Sequence, residues 1–124
     1  MKSHAKLVPI GILPKDAAEL SLIVAVLCIG VCDAIVAGAM TLDDAERYLF
    51  NPYTLTELEK RGQGEDITDL IHLGTELSNV GRLLPDKFGS SIAQIKSMAL
   101  AILNARPADP NAAWIGWLAP FPEK

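Results

Sequence analysis

The sequence predicts a small all-α protein, a compact bundle of about five helices with a central apolar helix and an irregular C-terminal tail rich in tryptophan and proline. The 124 residues are enough for one domain. Half of them are hydrophobic, which argues against disorder. Apolar residues also recur at spacings of three and four over long stretches. We therefore expect one helical domain over residues 1–124, with an irregular N-terminus at 1–14 and a docked tail at 105–124.

The first predicted helix covers residues 15–39. Asp16 and Glu19 favour the positive end of a helix there. Because apolar residues occupy nearly every side of this segment, we expect the helix to lie in the middle of the domain. Gly30 and Gly38 are expected to let another helix approach closely.

The same apolar run raises the question of a membrane span. It extends about thirteen residues before Asp33, short of the roughly 20 that a bilayer requires. A charge at mid-span costs about 3 kcal/mol, so a buried helix of a soluble protein explains the run better. Asp33 should then pair with Arg, Lys or backbone donors or lie at the helix edge, and the alternative is a charge that faces a partner or a ligand. Cys28 and Cys32 share one helical face, and reduced thiols there fit a cytoplasmic protein.

Two short helices are predicted next, over residues 42–50 and 54–61. Thr41 and Asp44 form a weak capping box at the start of the first, and Thr54 is the expected cap of the second. The first helix is expected to expose Asp43, Asp44 and Glu46, and in the second Glu57 occupies the capping-box position.

Two longer amphipathic helices follow, over residues 66–84 and 86–104, each with an apolar stripe at helical spacing. The tail beyond them contains four prolines, which forbid a long helix. Trp114 and Trp117 lie in this tail, and their apolar area favours docking on the body or on a partner.

Composition and motifs argue against several classes of function. The net charge is −4 and the basic residues are scattered, which is unfavourable for nucleic-acid binding. The two histidines are not accompanied by a Gly-x-Ser-x-Gly elbow, a phosphate loop or a dinucleotide fingerprint. We therefore predict a protein that is not an enzyme, with no catalytic residue and no cofactor.

One polar group, Asp69, His72 and Glu76, has offsets of three and four that place it on one helical face. The Asp-x-x-His spacing is similar to the Glu-x-x-His unit of di-iron bundles, but such sites need a second unit, and the sequence contains none. A solvated face, a partner contact and a metal site that also uses Asp33 are the three interpretations. We predict no metal site.

The segment from Asp43 to Glu76 is strongly acidic. It contains nine acidic residues against three basic ones, which gives it a charge of −6. Such a run is either a solvated face or a recognition surface for a basic partner. The candidate partner-binding residues are Asp43, Asp44, Glu46, Glu57, Glu65, Asp66, Asp69, His72 and Glu76.

Three stretches carry a resemblance to a known group of proteins: 69–80, the Leu83-Leu-Pro85 turn and the helix at 92–100. With Gly74-Thr-Glu-Leu77 as their most recognisable part, they resemble small bacterial helical proteins found among immunity proteins, which neutralise toxins used in competition between bacteria. The resemblance implies a compact helical bundle and stoichiometric binding of a cognate toxin.

Two functional hypotheses follow from the sequence. The first is a cytoplasmic immunity protein that covers the basic active site of a toxin with its acidic segment. The alternative is a helical metal-binding or small-ligand-binding protein, or an enzyme subunit. A homodimer that buries the first helix or the tryptophans is a third possibility. Neither nucleic acid nor a membrane is expected as a partner.

Overall fold

The computed structural model describes residues 10–107 and 116–120 and is mostly helical, in agreement with the all-α class. The described elements are β1 (Ile10–Ile12), α1 (Ala17–Val36), α2 (Leu42–Tyr48), α3 (Pro52–Lys60), α4 (Glu65–Thr75), α5 (Leu77–Leu83), a 3₁₀ turn (Pro85–Lys87), α6 (Phe88–Asn104) and β2 (Leu118–Pro120).

α1 begins at a reciprocal cap. The Asp16 side chain accepts the Glu19 backbone N–H at 2.9 Å, and the Glu19 carboxylate accepts the Lys15 backbone N–H at 2.9 Å. The helix ends at Val36, earlier than predicted, because Gly38 takes a positive φ of 76°. The close approach expected at Gly30 and Gly38 is wrong, since a Cβ at either position would meet nothing within 4 Å.

α1 packs against α6, α4 and α2, but on one side more than the other. Cys28 and Cys32 are buried in the core, whereas Val26 and Leu27 are 44% and 40% exposed. Only 33% of its most apolar window is buried, so the expected all-round burial is not observed. By length and composition alone α1 could cross a membrane, a property shared by core helices and by signal sequences near an N-terminus.

α2 and α3 are separated by three residues, Leu49 to Asn51. The predicted capping box is confirmed. Thr41 Oγ1 accepts a hydrogen bond from the Asp44 N–H at 3.0 Å, and the Asp44 carboxylate accepts one from the Thr41 N–H. The predicted start of α3 is wrong. Asn51 is its cap and accepts the Thr54 N–H at 2.9 Å, because the next residue is a proline whose fixed φ suits the first helical position.

The single helix predicted over residues 66–84 is two helices, α4 and α5, which meet at Glu76. The break follows Gly74, a weak helix former, and Thr75, whose hydroxyl donates to the His72 carbonyl at 2.7 Å. Gly74 is also where another part of the chain presses on α4. A Cβ there would lie 2.1 Å from the Phe50 ring.

α6 completes the helical body. It begins at Phe88, because Pro85–Lys87 form a 3₁₀ turn before it, and the predicted start at residue 86 falls within that turn. α6 packs along α1 and also contacts α4 and α5. The core between these helices consists of apolar side chains, chiefly Val24, Ala25, Cys28, Cys32, Ala45, Leu49, Phe50, Leu58, Ile67, Leu70, Ile71, Leu77, Ile92, Ile95 and Ala99.

The chain ends that the sequence marks as irregular contain a small sheet. β1 and β2 pair antiparallel, with Ile10 opposite Pro120 and Ile12 opposite Leu118. This pairing corrects the irregular assignment of residues 10–12 and docks residues 118–120 onto the same chain. The Trp117 carbonyl accepts the Leu13 N–H at 2.8 Å, whereas Trp114 lies outside the described residues.

Candidate functional site

An exposed row of polar side chains runs along the outer face of α4. Glu65, Asp69, His72 and Glu76 follow one another at spacings of four, three and four, so all of them fall on one side of a helix. All four are exposed. We call these residues the acidic row.

The opposite face of α4 holds the row in place. Ile67, Leu70, Ile71 and Gly74 are buried, and the Phe50 ring lies against Gly74. Burial of these side chains contributes about 1.5–3 kcal/mol each for the large ones, so the inner face fixes the rotation of the helix. The outer carboxylates are consequently presented on a rigid support.

The row is not neutralised by the part of the chain that the structure describes. Within residues 10–107 and 116–120, no Lys or Arg lies in a salt bridge with Glu65, Asp69 or Glu76. Glu65 lies in the first turn of α4, where the helix dipole favours a negative charge. Three carboxylates therefore face solvent along about three turns of helix.

Three of the nine candidate residues serve internal contacts instead. Asp44 caps α2, Glu46 accepts a hydrogen bond from Ser78 Oγ at 2.7 Å, and Glu57 pairs with Lys60 and Arg61. The Arg61 hydrogen bond lowers the pKa of the Glu57 carboxyl. Asp44 and Glu57 hold α2 and α3 in their local structures, and Glu46 ties α2 to α5. The structure does not bring these three side chains onto the acidic row.

The remaining two candidates, Asp43 and Asp66, are exposed but lie off the row. Asp66 is one residue after Glu65, which turns it about 100° around the helix, and its carboxylate accepts the Ile67 N–H at 2.9 Å. Asp43 is in the first turn of α2. The nine predicted positions thus separate into the four of the row, three with structural roles and these two.

Asp33 pairs with Lys96, as the sequence predicts for a carboxylate in an apolar helix. Its Oδ1 lies 2.7 Å from Lys96 Nζ, and this hydrogen bond raises the pKa of Lys96. Across the described residues, no three His, Cys, Asp or Glu side chains are grouped in a way that could hold a metal ion. The metal site that would join Asp33 to Asp69, His72 and Glu76 is therefore not formed by these residues.

Cys28 and Cys32 are buried free thiols. Burial raises the pKa of the Cys28 thiol to about 12 and that of the Cys32 thiol to about 11, with a smaller contribution from the neighbouring Asp33 charge to the second. A thiol with so high a pKa is a poor nucleophile near neutral pH. Both residues are consequently core side chains in this structure.

The sequence gives no sign of a buried polar contact between the α3–α4 turn and α1. Gln63 is 9% exposed; its Nε2 donates to the Ala17 carbonyl at 2.9 Å, and its Oε1 accepts from Ser21 Oγ at 2.6 Å. Only the glycines on either side of Gln63 mark this position in the sequence, and they indicate a turn rather than a contact. The bonds tie the segment just before the acidic row to the first turns of α1.

Most of the chain matches a known protein family. Residues 15–117 match a family described as a protein of unknown function, DUF3969. The chain belongs to the DUF3969 family. The match includes every helix of the described structure, and with them the acidic row of this DUF3969 protein. No curated protein and no solved structure matches the chain.

Proposed function

We propose that this DUF3969 protein is a non-catalytic immunity protein that binds a cognate toxin stoichiometrically in the cytoplasm. The observation that carries the proposal is the acidic row: three exposed carboxylates on a helix whose other face is locked into the core. An exposed charge without an internal partner contributes little to stability, and it is free to contact a basic partner.

The charge of the row favours a basic partner. Toxins that cleave or modify phosphate-bearing substrates hold Lys and Arg in their active sites, and carboxylates on a rigid helix complement such a site. Like-signed charges along the same helix also accelerate association with a basic surface, because they steer its approach. The expected complex is 1:1, without turnover.

One residue of the motif behind the resemblance to immunity proteins, Glu76, belongs to the acidic row. Gly74 receives the Phe50 ring, Thr75 bonds back to the His72 carbonyl, and Glu76 ends α4 and supplies the last carboxylate of the row. The same four-residue motif thus positions the helix and contributes a contact. The metal-binding alternative has no comparable support among the described residues.

A capture-and-neutralisation experiment tests the proposal. Tagged protein is purified from its own cells, and each stoichiometric partner is expressed alone and together with this chain. We expect a basic protein that arrests growth alone and is harmless in the 1:1 complex. A partner that is not toxic, or a toxin that remains active in the complex, would refute the immunity role.

A further inference from the structure

The two longest helices, α1 and α6, lie side by side and run in opposite directions. The start of α6 lies near the end of α1, because Phe88 and Leu42 both border Gly81, where a Cβ would be 3.3 Å from the first and 3.8 Å from the second. Farther along α6, Lys96 contacts Asp33 of α1. This ion pair joins the outward sides of the two helices into one continuous surface.

That surface is exposed and largely apolar. Its positions on each helix are three and four residues apart, which places them on one side of the helix. The valine and the two leucines among them are 44%, 40% and 47% exposed. We call the following six exposed residues the neutral face: Val26, Leu27 and Gly30 of α1 and Ser97, Leu100 and Ala101 of α6.

The two helices that form the neutral face carry few charges, and the chain itself satisfies them. α1 has 20 residues and α6 has 17, and the charged ones are Glu19, Asp33 and Lys96. Glu19 is buried and caps its own helix, and Asp33 is paired with Lys96. Protein surfaces usually contain about 25–35% charged residues, so this surface is unusual for one that faces water.

The lack of net charge identifies the kind of partner that fits. A basic protein is attracted to the acidic row, which points away from α1 and α6 because the opposite, buried face of α4 packs on them. Helices that lie on anionic bilayers carry several Lys or Arg. In α1 and α6 the basic residue is Lys96, and Asp33 neutralises it. A second copy of this chain, by contrast, brings an equally neutral and apolar face.

We propose that the neutral face packs against the neutral face of a second copy of this chain. The contact is isologous, so the helix pair of one copy lies on the helix pair of the other. Val26, Leu27 and Leu100 lose their exposed apolar area to it. A Cβ at Gly30 would meet nothing within 4 Å, so the second copy can approach the α1 backbone closely at that position. The acidic rows of the two copies stay far apart, which limits their repulsion.

The size of the contact sets its strength. The exposed surface continues to Val36 on α1 and covers residues 93–104 on α6, which are runs of about 15–18 Å. Two helices side by side are about 20 Å wide, so the footprint is about 300 Å² per copy. This is at the low end for specific interfaces, and we expect a reversible dimer with a dissociation constant between about 10 μM and about 1 mM. The contact uses neither α4 nor the acidic row, so it stands independently of the immunity role.

Sedimentation of the full chain over a wide concentration series tests the dimer. Gly30→Glu and Ser97→Glu each place a charge on the neutral face, one on either helix, and Glu is a better helix former than Gly. Thr56→Glu on the exposed side of α3 is the matched control, because all three variants take the net charge from −4 to −5. We expect the parent and the control to dimerise alike and each face variant to dimerise at least about tenfold more weakly.

Circular dichroism checks that the three variants keep the helical fold of the parent. A parent that stays monomeric up to about 1 mM, equal dimerisation of all four proteins, or an equal loss in the control would each overturn the proposal. Flotation of a monomeric parent with vesicles of phosphatidylcholine and phosphatidylglycerol would overturn it in favour of a bilayer as the partner of the neutral face.

Discussion

α1 and α4 both cross the core, but they mark their inner and outer faces in different ways. α4 separates them by polarity, with Ile67, Leu70 and Ile71 inside and the acidic row outside. α1 is apolar on both sides, with Cys28 and Cys32 inside and Val26 and Leu27 outside. Apolar character therefore shows which α4 residues pack, but it does not separate packed from exposed positions in α1. The same substitution should consequently change the free energy of unfolding by different amounts at packed and at exposed positions.

Alanine substitutions at two glycines, one in α4 and one in α1, should change the free energy of unfolding in opposite directions. Gly74→Ala places a Cβ 2.1 Å from the Phe50 ring, and we expect it to lower the free energy of unfolding by about 3 kcal/mol. Gly30→Ala in α1 meets nothing and should raise that free energy by up to about 1 kcal/mol, through helix propensity. Urea unfolding followed by circular dichroism measures both. Equal effects would show that Phe50 does not press on α4.

The next effect distinguishes the two faces of α1 with one residue type. Val24 is 4% exposed and Val26 is 44% exposed. Val24→Ala should lower the free energy of unfolding by about 2 kcal/mol, because it leaves a cavity in the core. Val26→Ala should change it by no more than about 0.5 kcal/mol. If the two costs are equal, the outer face of α1 is covered in solution.

The buried thiols of α1 make the free energy of unfolding depend on pH in the alkaline range. Folding raises the pKa of Cys28 from 9.0 to about 12. The contribution of the buried, protonated Cys28 thiol to the free energy of unfolding is therefore complete below pH 9 and is lost as the pH rises toward 12. The free energy of unfolding should fall by about 1 kcal/mol between pH 9 and pH 10 on account of Cys28. The control is Cys28→Ala, measured over the same range. An identical fall in parent and control would contradict burial of the thiol.

The ion pair between Asp33 and Lys96 lies on the exposed edge of α1, and its loss should change the free energy of unfolding least. Asp33→Asn removes the partner of Lys96, and because both side chains are partly in solvent the free energy of unfolding should change very little. The pKa of Lys96 should fall toward its ordinary value, as an NMR titration would show. Asp86→Asn, on an exposed acid elsewhere, is the control and should leave that pKa unchanged. A Lys96 pKa that does not respond to Asp33→Asn would contradict the pairing.

The sequence predicted the helical class, the cap at Thr41 and the shared face of Asp69, His72 and Glu76, because these depend on spacing along the chain. It missed the break at Glu76, because a single glycine such as Gly74 inside an apolar stripe does not by itself end a helix. The contact between the Phe50 ring and Gly74 joins distant parts of the chain and was missed as well. It also missed the β1–β2 pairing, because strands of three residues carry no periodicity.

The acidic candidates show the same division within the site. Asp69 and Glu76 were correctly placed on one exposed face by their spacing. Glu46 and Glu57 belong to the same acidic segment of the sequence. In the fold, however, Glu46 is hydrogen-bonded to Ser78 and Glu57 to Arg61. Charge alone gives the sign of a surface, and only the fold separates the carboxylates already used within the chain from those facing solvent.

Two charge-matched double variants test the claim that the acidic row of α4 binds the partner. Asp69→Lys/Glu76→Lys alters the row, and Glu59→Lys/Asp86→Lys alters exposed acids outside it. Each pair takes the net charge of −4 to 0, so general electrostatic effects are equal. Binding to the captured partner is measured for both by surface plasmon resonance. We expect the row variant to lose at least about tenfold more affinity than the control. Equal losses, or no loss in either, would contradict the claim.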